Sequence, residues 1–326
     1  MAAMPPTDRF RDRDLLFADG VRGETVEIPS ADPRNYWQVI SEPAAMPRLT
    51  IDGKLFRPAG ARGPLPVVIV VPGSLGIAPS HLRHAETLVG LGLAAFVLDP
   101  FGPRNVTSTV ANQTQYSFAA SAYDVAATVR TLTQRPDIES TRIGLQGHSR
   151  GGSAVLTAVA RRFCEAVHDR TVCVRAVLAA YPWCGHQFLD PDVGATEVHA
   201  IVGDQDDWVS PQQVQGHVQA MRLRGGAVTI RIVPGAEHSF DRGEPMQRFA
   251  DAAVSPGAPT AYIADDGAFI HPGTGQADAK LVDRDIAVYA LKAGYGVRGA
   301  TLGSQGDQAT LFRDEMTRFF RRTLLG

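Results

Sequence analysis

The sequence predicts an α/β protein with a mostly parallel sheet and helices on both faces of that sheet. The run LPVVIVVPG at residues 65–73 is continuously apolar and rich in Val, which is typical of a strand buried on both faces. After this run, strand and helix patterns alternate regularly as far as residue 240. Such alternation indicates right-handed crossover connections between parallel strands.

The elements follow in order from the apolar periodicity and the turn signals. Residues 24–57 contain short strand-like pieces separated by Pro and Asp/Gly turns, which predict an antiparallel entry to the sheet. A helix closed by Gly92 leads to a strand at 94–103, and a second helix covers 116–134. Further strands and helices are expected at 142–149, 150–163, 174–183, 197–207, 211–224 and 228–240.

The chain is expected to divide into four segments. Residues 243–305 are rich in Gly, Asp and Ala, and within them only 281–293 has a helical pattern. A long segment of this kind is commonly a lid or a binding loop, so it is a candidate lid. The predicted segments are an N-terminal extension with entry strands (1–64), an α/β core (65–242), the insertion (243–305) and a C-terminal helix of the core (306–326).

The composition excludes several classes of function. A net charge of −2 and the lack of basic runs argue against nucleic acid and anionic membrane surfaces as partners, and no stretch of 18 apolar residues predicts a membrane span. The three cysteines, Cys164, Cys173 and Cys184, cannot all pair within one chain and are expected to be reduced. Together with a polar, charged start, they favour a cytoplasmic location, unless a signal was removed before this sequence begins.

The stretch QGHSRGG contains the strongest candidate for catalysis. Gly147-x-Ser149-x-Gly151 follows a predicted strand and opens a predicted helix. In this context the serine lies on a tight strand-to-helix turn, with its hydroxyl exposed at the carboxyl end of the sheet. Ser149 is therefore predicted to be a nucleophile.

A serine nucleophile needs a general base, and His238 is the best candidate because it directly follows an apolar strand. His81 and His84 are spaced three residues apart on a predicted helix, and we expect them on a solvated face, since no carboxylate or cysteine completes a metal site. His148 is interpreted as a neighbour of the nucleophile. No metal and no cofactor are expected.

The acid that orients the base should lie at a strand end between Ser149 and His238. The stretch HAIVGDQDDWVSP supplies three candidates there, and position alone does not separate Asp204, Asp206 and Asp207.

Two backbone N–H groups should bind the oxyanion that forms during attack on a carbonyl group. The first is that of Arg150, directly after the nucleophile. The second should come from the turn VVPGSLG, where Ser74 is preferred and Leu75 is the alternative; that turn is otherwise only a connection.

Taken together, the motifs GHSRGG, GDQDDWV and GAEHSF resemble the dienelactone hydrolases and related carboxylesterases of the α/β-hydrolase superfamily. The resemblance covers about residues 65–242 and the final helix. It implies an α/β-hydrolase fold with a mostly parallel, eight-stranded sheet. Because the acid motif of the family reads Gly-x-x-Asp followed by an apolar pair, the resemblance selects Asp206.

The resemblance also assigns two arginines and shows two departures. Arg104 in DPFGPR and Arg242 in HSFDR match family arginines that bind a substrate carboxylate; the alternative is that each braces a loop. Ser149 stands where the dienelactone enzymes have cysteine, and Pro72 and Gly73 stand where they have a glutamate. These departures favour ordinary esters or lactones over a dienelactone.

The sequence therefore predicts a serine hydrolase that cleaves carboxylic esters or lactones through an acyl-enzyme. The alternatives are amide cleavage or acyl transfer on the same residues, and a non-catalytic binding protein of the same fold. The expected partner is a small-molecule ester or lactone that could bear a carboxylate, and the chain is expected to be a monomer or a homodimer. Three aromatic residues beyond strand ends either line the acyl pocket or belong to the core: Phe101, Trp183 and Trp208.

Overall fold

The computed structural model of the protein describes residues 9–168 and 174–326 and contains a central eight-stranded sheet. Cys173 lies outside the described residues, whereas Cys184 is buried and Cys164 half-buried. The strands are β1 Glu24–Ala31, β2 Arg48–Phe56, β3 Leu65–Val71, β4 Ala94–Asp99, β5 Ile138–His148, β6 Val174–Ala180, β7 His186–Phe188, β8 Glu197–Gly203, β9 Val228–Val233, β10 Gln247–Val254, β11 Ala261–Ile263, β12 Phe269–Ile270, β13 Ala277–Asp278 and β14 Val297–Leu302.

The central sheet has the strand order β1-β2-β4-β3-β5-β6-β8-β9. The six strands from β4 to β9 in this order run parallel, while β1 and β2 are antiparallel to each other and β2 is antiparallel to β4. The predicted fold class, a mostly parallel eight-stranded sheet with an antiparallel entry, is confirmed. Four consecutive residues of β3, Val67 to Val70, are fully buried, as the continuous apolar run predicts.

Helices cover both faces of the sheet. Because the chain moves one way along the sheet from β3 to β4 and the other way from β5 to β6, right-handed crossovers put α2 and α4 on opposite faces. α3 packs on α4, and the C-terminal α8 packs on α2. The helices are α1 Tyr36–Ile40, α2 Pro79–Gly90, α3 Phe118–Thr133, α4 Arg150–Val159, α5 Arg161–Val167, α6 Pro211–Leu223, α7 Asp283–Lys292 and α8 Gln308–Phe320.

One predicted helix is divided in the structure. The pattern over 150–163 predicts a single helix, but Ala160 is extended (φ −60°, ψ 126°) and separates α4 from α5. The backbone N–H of Arg161 donates to the carbonyl of Asp192 at 2.8 Å instead of continuing the helical ladder. A contact distant in sequence therefore overrides the local periodicity.

Residues 243–305 form short elements that the sequence does not predict, in addition to the expected helix α7. β10 pairs with β14 in a two-stranded antiparallel sheet, and β11, β12 and β13 join β7 in a small sheet of four strands. These strands are two to eight residues long and lack a clear alternation of apolar residues. In the part of the chain that the structure describes, no helix combines the length and apolar character needed to cross a bilayer.

Candidate active site

Ser149 lies between β5 and α4, at the carboxyl edge of the sheet. Its backbone has φ 54°, a conformation unusual for a residue with a side chain. Gly147 and Gly151 permit this turn, because a Cβ atom on either would overlap a neighbouring backbone carbonyl, of Gly151 and of Val71 respectively. The sequence thus places the serine hydroxyl outside the strand, at the start of the helix.

The serine hydroxyl, the imidazole of His238 and the carboxylate of Asp206 form a continuous hydrogen-bonded chain. Ser149 Oγ is 3.0 Å from His238 Nε2, and His238 Nδ1 is 2.8 Å from Asp206 Oδ2. The other oxygen, Asp206 Oδ1, accepts the backbone N–H groups of Trp208 and Val209, each at 2.9 Å. The carboxylate is therefore fixed, and it holds the imidazole with Nε2 directed at the serine. We call this arrangement the Ser149–His238–Asp206 chain.

Hydrogen bonds distinguish Asp204, Asp206 and Asp207, the three candidates for the acid that orients the base. Asp204 accepts the N–H of Gly235 at 2.7 Å, and Asp207 accepts the N–H of Thr301 at 2.7 Å. Both carboxylates therefore brace loops, while Asp206 alone of the three forms a hydrogen bond with His238 among the described residues.

The turn after β3 lies against the nucleophile. A Cβ atom built on Gly73 would be 3.1 Å from Ser149 Cβ, and the next residue, Ser74, lines the same cavity as Ser149. Among the hydrogen bonds of the described residues, the backbone N–H groups of Ser74, Leu75 and Arg150 have no acceptor. These groups are thus available to an oxygen atom beside Ser149.

Ser149 opens into a cavity of about 890 Å³. One side of it is formed by the core, with Trp183 and Trp208 among the lining residues. The other side is formed by the insertion, including Asp283 and Tyr289 of α7. The Trp208 ring stacks on the His238 ring, with centroids 5.1 Å apart and an angle of 18° between the planes. The insertion therefore supplies a wall of the cavity in front of the nucleophile.

Phe101 lines neither the 890 Å³ cavity nor the small second cavity next to Ser149. It is buried in a small cluster with Tyr116 and Ala120. Of the two roles considered for this residue, this burial favours the core role.

The two arginines matched to the family have different surroundings. Arg104 is buried and bonds Asp124 at 2.6 Å and Asp32 at 3.1 Å, so its guanidinium holds the loop after β4 and is absent from the walls of both described cavities. For Arg104, these contacts favour the bracing alternative over substrate binding. Arg242 lines a small second cavity of about 30 Å³ together with Ser149 and His238, where it remains a candidate for substrate binding.

The side chain of Arg150 has a role that the sequence does not reveal. It is buried beneath the 890 Å³ cavity, where Nε donates to Ser121 Oγ and the two terminal nitrogens donate to the carbonyls of Gln113 and Tyr116. Its guanidinium lies 4.0 Å from the Phe118 ring centroid. Arg150 thus ties the 113–118 segment to the nucleophile turn.

A second group of polar side chains lies buried behind Ser149, and we call it the buried network: His84, His148, Tyr181 and Asp241. His84 Nε2 is 2.7 Å from Asp241 Oδ2, and the hydroxyl of Tyr181 donates to Asp241 Oδ1 at 2.6 Å. His148 Nδ1 is 2.8 Å from the Tyr181 hydroxyl. The prediction of a solvated face for His81 and His84 is wrong, because both are buried, His81 against the ring of His148.

The buried network also brings two histidines and a carboxylate close enough to hold a metal ion. However, each of the relevant atoms already has a hydrogen-bond partner inside the network. Although burial opposes it, the hydrogen bond from His84 holds the pKa of Asp241 well below its usual range. Burial lowers the pKa of His148 to about 3. The atoms that could bind a metal ion are thus already hydrogen-bonded to one another or to Tyr181.

Three strained residues surround the site. Four non-glycine residues in the described ranges have a left-handed φ, and three of them are Ser149 (54°), Tyr181 (36°) and Ser239 (55°). Ser149 follows β5, Tyr181 follows β6, and Ser239 follows His238. Strained backbone persists only where the surrounding structure holds it in place. Such residues cluster at functional sites.

The fold, together with a serine on a strained turn in front of a cavity, defines a hydrolase of the α/β-hydrolase class. The model of the dienelactone hydrolase family matches residues 51–257, more than half of the chain. The chain belongs to the dienelactone hydrolase family.

Individual relatives are more distant. A curated protein of Bradyrhizobium sp, named "Probable 2-oxo-3-(5-oxofuran-2-ylidene)propanoate lactonase", is 24% identical over 195 residues, which cover 55% of this chain and 74% of the relative. The solved structure of m3DLH is 15% identical, covers 93% of this chain and 99% of its own, and has a TM-score of 0.55. The dienelactone hydrolase from Anabaena variabilis is 21% identical, with coverage of 66% and 88% and a TM-score of 0.46. The likeness to m3DLH supports the same fold.

Proposed function

We propose that this protein is a serine hydrolase that cleaves carboxylic esters or lactones through an acyl-enzyme intermediate. One observation carries the proposal: Ser149 Oγ lies 3.0 Å from His238 Nε2 at the edge of a large cavity. Membership of the dienelactone hydrolase family and the lactonase among the relatives support an ester or lactone as the substrate, cleaved at the single bond between the acyl carbon and the leaving oxygen.

The reaction would begin with attack of Ser149 Oγ on the substrate carbonyl carbon while His238 Nε2 accepts the hydroxyl proton. Asp206, held by two backbone N–H groups, stabilises the positive imidazole. The negative oxygen would bind the N–H groups of Ser74, with Leu75 as the alternative, and Arg150, each donor contributing about 3 kcal/mol in a dry site.

Collapse of the tetrahedral intermediate breaks the bond to the leaving oxygen, which receives the proton from His238. For a lactone, the leaving hydroxyl stays attached to the acyl group. A water molecule then gives a proton to His238 and attacks the acyl-enzyme, and His238 returns the proton to Ser149 Oγ as the acid is released. The cycle consumes one water and leaves the enzyme unchanged.

Short p-nitrophenyl esters and simple lactones test the proposal. The wild-type protein should hydrolyse them, Ser149→Ala should lose the activity while keeping its circular dichroism spectrum, and a fluorophosphonate should add covalently to Ser149. Ser41→Ala is a matched control, because this exposed serine bonds only the carbonyl of Asp266 in the described contacts. Ester hydrolysis that survives Ser149→Ala would refute the assignment.

The matching p-nitroanilides separate the alternatives within the same assay. Faster cleavage of the anilides than of the esters would favour an amide hydrolase. Binding without turnover of any compound would favour a non-catalytic protein.

A further inference from the structure

The wall of the 890 Å³ cavity next to Ser149 carries an aromatic patch, formed by Phe118, Trp183 and His186. The rings of Phe118 and Trp183 are stacked with centroids 4.3 Å apart, and the ring of His186 meets both edge-on, at 5.3 and 4.7 Å. All three residues line the cavity. The backbone N–H of Trp183 donates to the carbonyl of Ser149 at 3.3 Å, so the aromatic patch begins beside the nucleophile.

His186 is the polar member of the aromatic patch. Its Nδ1 is 3.4 Å from the hydroxyl of Tyr36 and 3.9 Å from Asp283 Oδ1, and all three side chains are buried. Nε2 lies on the opposite side of the ring, and none of the described residues forms a hydrogen bond with it. Nε2 is therefore the nitrogen that His186 offers to a ligand.

Asp283, the first residue of α7, determines what Nε2 can bind. Its Oδ2 accepts the N–H of Phe118 at 2.6 Å, and Oδ1 has no hydrogen-bond partner among the described residues. Because the carboxylate oxygen Asp283 Oδ1, which can only accept, faces Nδ1, the proton of a neutral His186 is favoured on Nδ1, and the Tyr36 hydroxyl then accepts from it. Nε2 then presents a lone pair to the cavity and can accept a hydrogen bond.

The charges around the aromatic patch select a neutral donor. Burial, aided by the charge of Arg150, lowers the pKa of His186 to about 3, so its imidazole is neutral near pH 7 and has no charge for an anion. Asp283 further disfavours an anion there, while the positive charge of Arg150, whose guanidinium is buried beneath the cavity, disfavours a cation. A hydroxyl group on an aromatic ring can donate to His186 Nε2, while the ring itself packs against the rings of Phe118 and Trp183.

We propose that His186, oriented by Asp283, binds a hydroxyl group on an aromatic part of the substrate, so that hydroxyaryl esters or lactones are preferred. The inference rests on the proposed ester or lactone hydrolysis and names its substrate class. Asp283 lies outside the residues 51–257 that match the family, so the carboxylate beside His186 comes from the insertion, while the aromatic patch belongs to the matched region.

Matched pairs of esters test the inference. We would compare kcat/KM for the methyl esters of 4-hydroxybenzoate, 4-hydroxyphenylacetate and 3-(4-hydroxyphenyl)propanoate with that for their 4-methoxy counterparts. A methoxy group cannot donate a hydrogen bond, so the wild type should prefer the hydroxyl compound of the best-fitting length about tenfold. His186→Phe keeps the ring but removes Nε2, and should reduce the ratio to about one.

Asp283→Asn is the conservative second variant. Its amide oxygen can still accept the N–H of Phe118, while its NH₂ group would face Nδ1 and shift the histidine proton to Nε2. The ratio should then also fall, because a methoxy oxygen can accept from Nε2–H. His199→Phe, which replaces a histidine bonded to Thr229 and Glu315, is the matched control and should keep the wild-type ratio.

The outcomes are distinct. Absence of turnover with every ester and simple lactone, p-nitrophenyl acetate included, would refute the proposed function itself. Turnover with hydroxyl-to-methoxy ratios near one at all three lengths, or an unchanged ratio in His186→Phe, would refute only the role of His186. If His186→Phe does not fold, binding of the hydroxy and methoxy acids to Ser149→Ala replaces the kinetic ratio, and equal affinities would overturn the inference.

Discussion

The Ser149–His238–Asp206 chain and the buried network use the same chemical groups in different surroundings. Each pairs a histidine with an aspartate, at 2.8 Å for His238 and Asp206 and at 2.7 Å for His84 and Asp241. The first ends at a serine hydroxyl beside a cavity, whereas the second is closed by further protein groups. A histidine–aspartate pair becomes a candidate for catalysis only where the chain of hydrogen bonds reaches a nucleophile and a space for substrate.

The largest expected effect separates the two histidines. His238→Ala should lower kcat about 10⁴-fold or more, because the general base is lost. His84→Ala should instead destabilise the protein by about 3 kcal/mol, since it leaves the charge of Asp241 buried with one hydrogen bond fewer. Ester hydrolysis and urea unfolding, measured on both variants, check this pair. A loss of kcat in His84→Ala as large as in His238→Ala, with the fold intact, would contradict the distinction.

The second prediction concerns Tyr181, which contacts both regions. Its ring lies edge-on to the His238 ring at 4.7 Å, and its hydroxyl bonds Asp241 and His148. Tyr181→Phe keeps the ring, so kcat should change only a few-fold. Asp241 Oδ1 and His148 Nδ1 would each lose a hydrogen bond, which should lower the free energy of unfolding by about 1–3 kcal/mol. A large loss of kcat together with unchanged stability would place the hydroxyl in the reaction instead.

The third prediction uses the two arginines. Arg242→Ala should raise KM for carboxylate-bearing esters about tenfold relative to neutral esters, because Arg242 lines the small cavity with His238. Arg104→Ala should lower the melting temperature with no selective effect on anionic substrates, since it leaves Asp124 buried without its ion pair. Equal losses on neutral and anionic esters in Arg242→Ala would remove that residue from substrate binding.

The smallest effect is a pH dependence of stability. Burial lowers the pKa of His148 and His186 to about 3 and of His217 to about 4, and it lowers the pKa of His81 well below its usual range. An unfolded histidine takes up its proton near pH 6.5, so in this interval the unfolded state binds more protons and stability falls as the pH decreases.

Five carboxyl groups of the described residues act in the opposite direction, and burial raises the pKa of three of them, Asp99, Asp124 and Glu237, above its usual range. Burial raises the pKa of Asp52 and Asp283 to about 6, so their protonated forms stabilise the folded state below pH 6 and this contribution is lost as the pH rises from about 4 to 6. The four buried histidines resist protonation over the whole interval from about pH 6.5 to 5, whereas these carboxyl groups act mainly below pH 6, so the histidines dominate. The melting temperature should therefore be lower at pH 5.0 than at pH 7.5, and a higher value at pH 5.0 would contradict the burial of these histidines.

The sequence predicts the fold and the position of Ser149 well because both depend on local patterns. The Val-rich strand, the glycines of the turn and the Gly-Ala-x-His motif each lie within a few residues of the group that they position. Arg104 and the buried network could not be assigned in this way. Their partners, such as Asp124 for Arg104 and Asp241 for His84, are 20 and 157 residues away along the chain.

The wall of the cavity is hidden from the sequence for a related reason. Asp283 faces His186 where the insertion packs on the core, and there β11 pairs with β7, which is a contact between short strands without periodicity. The sequence does contain one indication of the buried network. Asp241, the last residue of GAEHSFD, stands three residues after His238 and belongs to that network.

The two ends of the insertion meet each other beside His238. The N–H of Gly243 donates to Ser304 Oγ at 2.8 Å, the N–H of Ser304 donates to the carbonyl of Glu244 at 2.8 Å, and the N–H of Gly303 donates to the carbonyl of His238 at 2.9 Å. Because its entry and exit lie side by side, the segment can be exchanged as a cassette, provided that the replacement closes the same gap and again pairs with β7. Grafting such cassettes from related hydrolases offers a route to new selectivity in which the reacting groups keep their geometry.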